Sequence, residues 1–241
     1  MCTVTWLRRP DGYHLLCNRD ERDSRQPALG PGIHEQNGVK YIAPVDGDHG
    51  GSWIGSNEFG LSLCLLNRYG DVQSDENREF ISRGLLLIDL LDCSEVEQAT
   101  LRISDVDLSR FRPFNLLVLA RSAKPALLEW TGSKLSIVND VDCLVPLTST
   151  SLTEPGIAVE RRRQFAAIAG DLNEDSLDEY HRSHLPTRGA YSVCMHRDGA
   201  ATVSLSKVSV TQDEILFAYE SGSPCQSTGA TTVRLVSRSQ S

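Results

Sequence analysis

The sequence predicts an α+β fold of four layers, αββα, in which two antiparallel sheets stack face to face with helices outside. Three observations predict it. Strand-forming and helix-forming runs come in blocks, in the order strands, helices, strands, helices, strands. Consecutive strands are joined by tight turns, so antiparallel pairing is the default. The helices are grouped rather than interleaved strand by strand, which suits a parallel βαβ fold poorly. The chain has 241 residues, 40% of them hydrophobic, which is enough to fill such a core. No linker or internal repeat divides it, so residues 1–241 read as one domain.

The first element is a hairpin. Cys2 to Arg9 and Tyr13 to Glu21 flank Pro10-Asp11-Gly12, where proline pre-sets φ at the first corner and glycine supplies a positive φ at the last. If Arg9 pairs with Gly12, Cys2 lies opposite Arg19; a glycine bulge would shift it to Asp20. Directly opposite residues share a face, with Cβ atoms roughly 5 Å apart. Arg22 to Gly38, with two prolines and three glycines, reads as a loop. Val39 to Ala43 is a short strand, and Asp46 to Gly51 a flexible glycine-rich loop. Ser52 to Gly60 leads through a turn into a strand over 61–67, where Leu61, Leu63, Leu65 and Asn67 share one face. A polar loop covers 68–75.

A helix over 78–92 carries leucines and isoleucines around more than half its circumference, so it should be heavily buried. Ser94-x-x-Glu97 has the form of a capping box for a second helix. Strands follow at 114–120, 126–130 and 134–138, with a further candidate at 144–148. Helices follow at 157–169 and after Ser176-x-x-Glu179. The chain closes with a meander of strands at 190–196, 201–207 and 214–219. The Ser/Thr-rich stretch after Gly222 reads as a loose tail.

Composition excludes several classes. Net charge is −8 with no basic stripe, which argues against a nucleic-acid partner. No run of about 18 apolar residues exists, so no transmembrane helix is expected. The N-terminus lacks the layout of a signal peptide. The seven cysteines are scattered, with no Cys-x-x-Cys pair, and read as reduced thiols of a cytoplasmic protein. Neither they nor His14, His49, His181, His184 and His196 show metal-ligand spacing, so no metal is expected.

The chemistry-bearing residues gather at the hairpin. If Met1 is removed, Cys2 carries both a thiol and a free α-amine, whose pKa near ~8 leaves part of it an unprotonated base at neutral pH. That amine can take the thiol proton. Arg19 would favour a thiolate, lowering the thiol pKa, and Asp20 could hold the amine. Asn18 and Glu21 complete a tetrad inviting mutual pairing. Asn67, ending an apolar strand, could be an amide donor to a developing oxyanion, worth roughly 3 kcal/mol in a dry site. Arg161-Arg162-Arg163 reads as a solvated helix face, Trp53 as core or pocket wall, and His14 as able to reach the pocket by strand parity.

Met1-Cys2, Asn18-Arg19-Asp20-Glu21 and Gly51-Ser52-Trp53-x-Gly55-x-Asn57-x-x-Gly60 through Leu66-Asn67-Arg68 resemble the NRDE family, the family of the transport and Golgi organisation protein two. Phe114-Asn115-Leu116-Leu117 and Thr187-Arg188 are similar to its later motifs. That family in turn resembles the N-terminal-nucleophile hydrolases, particularly choloylglycine and penicillin V acylases, which are αββα proteins that cleave linear amides. The resemblance implies Cys2 as nucleophile, Arg19 with Asp20 or Glu21 as its arginine and carboxylate, and Asn67 as oxyanion donor. Both families usually carry another asparagine where this chain has Ser149 after Leu147-Thr148. Arg188 falls near the acylases' second arginine. The implied function is hydrolysis of a linear non-peptide C–N amide through a thioester, without a cofactor. The alternative is a carrier or chaperone for haem or a lipid, holding a hydrophobic ligand without turning it over.

Overall fold

The computed structural model describes residues 2–69, 79–149 and 156–238. Met1, most of the expected loop over 68–75 and the expected helix start at Arg78 lie outside them.

Fourteen strands are present among the described residues: β1 (Cys2–Arg9), β2 (Gly12–Arg22), β3 (Leu29–Gln36), β4 (Val39–Val45), β5 (Ile54–Asn57), β6 (Leu61–Asn67), β7 (Phe114–Ala120), β8 (Ala126–Trp130), β9 (Leu135–Asn139), β10 (Leu147–Thr148), β11 (His196–Arg197), β12 (Ala200–Val210), β13 (Glu214–Ser221) and β14 (Thr231–Val236). They form two sheets. The first runs β10-β1-β2-β12-β13-β14, with β11 paired to β12; the second runs β3 through β9 in chain order. Every strand pair in both sheets is antiparallel. Helices α1 (Arg83–Leu90) and α2 (Val96–Ser104) cover the second sheet, and α3 (Ile157–Ile168) and α4 (Glu174–Arg182) cover the first. The result is the expected αββα order of layers.

Alternation along the strands divides the core into three. Between the sheets lie Cys2, Val4, Trp6, Leu15, Cys17, Cys64 and Leu66, joined by Phe217 and Tyr219. Under α1 and α2 lie Leu61, Leu63, Leu65, Leu87 and Leu116. Under α3 and α4 lie Leu16, Phe165, Leu177, Tyr180, Val193 and Leu205. β2 is buried on both faces for most of its length, because it has a sheet on one side and α4 on the other.

Several elements differ from the sequence expectation. The stretch over 22–38 is not all loop: β3 pairs with β4. Exposed Leu29 and Ile33, together with Gly30, Pro31 and Gly32, gave it a weak strand pattern, as fits an edge strand. The stretch after Gly222 is not a loose tail, since β14 completes the first sheet by pairing with β13. Residues 190–195 form turns rather than a strand. The α2 cap is shifted by one residue: the Ser94 backbone N–H donates to Gln98 Oε1 at 2.7 Å, Glu95 is the N-cap, and the helix starts at Val96. α4 is capped by Asn173, with Ser176 as its reciprocal partner at the third position. Gly12 is required by close approach rather than by a positive φ: a Cβ there would lie 1.8 Å from the Val210 carbonyl oxygen.

Candidate active site at Cys2

The hairpin pairs Arg9 with Gly12 and therefore Cys2 with Arg19, the bulge-free register. β10 lies on the other side of β1 and brings Ser149 to the chain start. The Cys2 backbone nitrogen donates to Ser149 Oγ at 3.1 Å, and the Ser149 backbone N–H donates to the Cys2 carbonyl at 3.0 Å. Both residues are buried.

Strand parity splits the Asn-Arg-Asp-Glu tetrad between two faces. Arg19 and Glu21 share the inter-sheet face with Cys2. The Arg19 guanidinium pairs closely with Asp46, lies 3.7 Å from Glu21 and stacks on Trp53, its central carbon 4.1 Å from the ring centroid. Asp46 also accepts from Arg25 at 2.7 Å and from the His49 backbone at 3.0 Å, so the glycine-rich loop over 46–51 is an ordered collar. These cations hold the Asp46 carboxyl below its ordinary range, against burial. Gly51 makes room for α1, since a Cβ on it would meet the Gly84 backbone at 2.4 Å.

Asn18 and Asp20 face the helices. Asn18 Nδ2 donates to the carbonyls of His181 (2.9 Å) and Val193 (3.0 Å), which leaves its oxygen as acceptor for His181 Nδ1 at 3.0 Å. His181 therefore carries its proton on Nδ1, and Nε2 accepts from the Thr5 hydroxyl at 2.8 Å. Burial drives its pKa down to about 3. Asp20 accepts from the Thr202 hydroxyl at 2.6 Å and meets Arg161 at 3.3 Å, in an ion pair with both side chains fully buried. The expected Arg19–Asp20 partnership is thus replaced by Arg19–Asp46 and Asp20–Arg161. The reason is the two-residue period of a strand, which sends adjacent side chains to opposite faces. Arg161 is no solvated helix residue: it also donates to the Ser192 carbonyl at 2.7 Å.

Other expected residues fall elsewhere. Asn67 shares its face with Leu61, Leu63 and Leu65, which is the α1/α2 side, and its Nδ2 donates to the Tyr69 hydroxyl at 3.1 Å. The side-chain oxyanion role is not supported by this placement. Arg188 is exposed and lies 3.3 Å from His196 Nδ1. His14 faces α4, 2.7 Å from Glu174, and lines a groove of about 650 Å³ on the outside of the first sheet rather than the Cys2 face. Trp53 is buried in the inter-sheet core, stacked on Arg19.

The thiol differs from expectation too. A hydrogen bond with Cys17 and then burial hold the Cys2 thiol well above its ordinary pKa. Arg19 does not reverse this, being matched by its own carboxylates. Sequence reasoning missed Arg83 at the start of α1. It donates to the Pro113 carbonyl at 2.7 Å, lies within electrostatic reach of Cys2, Glu21 and Tyr69, and is pushed down in pKa by burial. It also missed Asp46. Neither position has a local signal; only the packing of the α1 start and the collar loop against the hairpin brings them in.

The fold has solved counterparts. The C2A mutant of conjugated bile acid hydrolase from Clostridium perfringens is similar over 100% of this chain and 97% of its own, at 12% identity and a TM-score of 0.60. Penicillin V acylase from Agrobacterium tumefaciens is similar over 98% of this chain and 86% of its own, at 12% identity and a TM-score of 0.58. The Caenorhabditis elegans orthologue of N-acylethanolamine-hydrolyzing acid amidase covers 86% of this chain and 92% of its own, at 14% identity and a TM-score of 0.61. These likenesses show an N-terminal-nucleophile hydrolase fold. No curated protein matches the chain. The Transport and Golgi organisation 2 model matches residues 1–189, which take in the hairpin, the collar loop and Ser149, and the chain belongs to that family.

Proposed function

We propose that this protein is an N-terminal-cysteine amidohydrolase acting on a linear, non-peptide C–N amide. The observation that carries the reading is the setting of Cys2. Its sulfur belongs to the inter-sheet face opposite Arg19, and its nitrogen is bonded to Ser149 Oγ at 3.1 Å. Once Met1 is removed, that nitrogen is a free amine held by Ser149. While Met1 is attached, the hydrogen bond with Cys17 and then burial hold the thiol pKa up, so the base has to come from the freed amine. The amine takes the Sγ proton as sulfur attacks the amide carbonyl, and a C–S bond forms. The resulting ammonium returns the proton to the departing nitrogen as the C–N bond breaks. Water then cleaves the thioester and releases the acid. The solved neighbours support an amide substrate by their names, namely a conjugated bile acid hydrolase, an acylase and an amidase.

A second reading is a carrier for haem or an acyl ligand. It is favoured by the same raised thiol pKa and by Ser149 standing in place of an amide donor. One experiment separates the two. Intact mass of the protein made in cells should show loss of Met1. Incubation with a panel of N-acyl amides should release amine and leave a trapped acyl adduct on Cys2, both abolished in Cys2→Ala. Retained Met1, or neither turnover nor adduct, overturns the hydrolase reading. Stoichiometric ligand binding that survives Cys2→Ala would then identify the carrier.

A further inference from the structure

Away from Cys2, the fold gathers four residues that the linear sequence scatters. Cys194 and His196 sit two apart in the segment entering β11. The Cys194 backbone N–H donates to the Ser183 carbonyl at 3.0 Å, which pins it beside His184. The short 3-10 turn at Pro224–Gln226, just after β13, delivers Cys225. The ligand atoms of His184, Cys194, His196 and Cys225 all lie within 4.8 Å of one another. His196 Nε2 is 3.5 Å from Cys194 Sγ and 3.4 Å from Cys225 Sγ. The two imidazole rings stand at 67° with centroids 5.2 Å apart. His184 Nε2 is buried with no hydrogen-bond partner.

We propose that these four residues form a structural Cys2His2 site for a divalent transition metal, zinc above all. A tetrahedral zinc with Zn–S of ~2.3 Å and Zn–N of ~2.0–2.1 Å puts each nitrogen about 3.5 Å from each sulfur. The two nitrogen–sulfur separations from His196, 3.5 and 3.4 Å, match that edge length. Hydrogen bonding accounts for only part of the same arrangement: with exposed Arg188 at 3.3 Å from His196 Nδ1, His196 Nε2–H can point at the sulfurs, but His184 Nε2 is left without a partner. One imidazole nitrogen faces two sulfurs while the other imidazole nitrogen has none, whereas four donor atoms converging on one centre satisfies all of them. Binding releases the two thiol protons, so two thiolates and two neutral imidazoles leave a site of zero net charge around Zn²⁺. With four protein ligands no position is left for water, so the site is structural rather than catalytic.

Its place in the fold says what it would hold. The Ser192 and Val193 carbonyls accept from Arg161 and Asn18, and the Met195 N–H donates to Thr202, which donates to Asp20. This segment braces the back of β2 without strand pairing of its own before His196. A metal at Cys194 and His196 would tie it to the start of the loop after α4 and to the turn after β13.

The test is titration of the full chain, reduced and stripped of metal by a chelator, with Co²⁺ under anaerobic conditions. One equivalent should bind with the visible bands of tetrahedral cobalt and sulfur-to-metal charge transfer, and Zn²⁺ should displace it. Cys225→Ser, in a peripheral turn, should weaken cobalt binding by more than ~100-fold and remove the metal dependence of Tm. Cys143→Ser, at an exposed thiol, should change neither. Three results would overturn the proposal: absence of tetrahedral bands, bands undiminished in Cys225→Ser, or recovery of Cys194 and Cys225 as a disulfide from cells lysed into an alkylating reagent.

Discussion

Replacing Arg161 by methionine should destabilise this protein far more than the same change one residue on. Arg161 is fully buried, and Nη1 donates to Thr3 Oγ1 at 2.5 Å and meets Asp20 at 3.3 Å. Nη2 donates to the carbonyls of Ser192 at 2.7 Å and Ala190 at 3.4 Å. Methionine fills much of the space but donates nothing. Asp20, a carboxylate inside the protein, then loses the Arg161 guanidinium, and the Ser192 carbonyl loses that donor. Breaking one side of a buried ion pair costs about 3–5 kcal/mol, chiefly because the surviving charge stays desolvated. Arg162, exposed on α3, should cost within about 0.5 kcal/mol of nothing when replaced by methionine. Urea denaturation at pH 7.5 with unchanged m values gives both numbers. If Arg161→Met and Arg162→Met lie within 0.5 kcal/mol of each other, the buried pair is not what anchors α3 to β1 and β2.

Two further predictions follow from the same geometry. His181 is neutral in the folded state, with its pKa driven by burial to about 3 from an ordinary 6.5. The unfolded chain therefore takes up the proton first, and stability is full above pH ~6.5 and falls by about 1.4 kcal/mol per unit as pH drops toward 3. Urea midpoints at pH 6.5 and pH 5 should show about 2 kcal/mol of loss from this group, and His181→Gln should flatten that part of the slope; equal slopes in the two proteins would contradict the assignment. For the thiols, limiting iodoacetamide at pH 7 should modify exposed Cys143 well before Cys2, whose thiol is buried and hydrogen-bonded to Cys17. Peptide mapping that finds Cys2 labelled first would restore a low-pKa thiolate.

The sequence by itself determined the αββα order of layers and narrowed the hairpin to two registers, Cys2 opposite Arg19 or opposite Asp20, of which the folded sheet takes the first. Both depend on local signals, namely the Pro-Asp-Gly turn, the period-two alternation and the blocks of strands and helices. The family resemblance pointed to Ser149, and the folded sheet brings it to the Cys2 nitrogen. The sequence by itself did not determine partners. Adjacent residues in Asn18-Arg19-Asp20-Glu21 look like one cluster on paper, yet a strand sends neighbours to opposite faces. Whether Arg19 meets Asp20 or Asp46 therefore depends on what packs against each face. Arg161 looked solvated because three successive arginines carry no periodic mark, and only the docking of α3 on the first sheet buries one of them. β3 and β14 were missed because edge strands are half exposed and lack a clean apolar alternation. The His184, Cys194, His196 and Cys225 cluster had no spacing to find. Its ligands come from three segments, and their convergence is a property of the folded sheet, where chain distance no longer sets spatial distance.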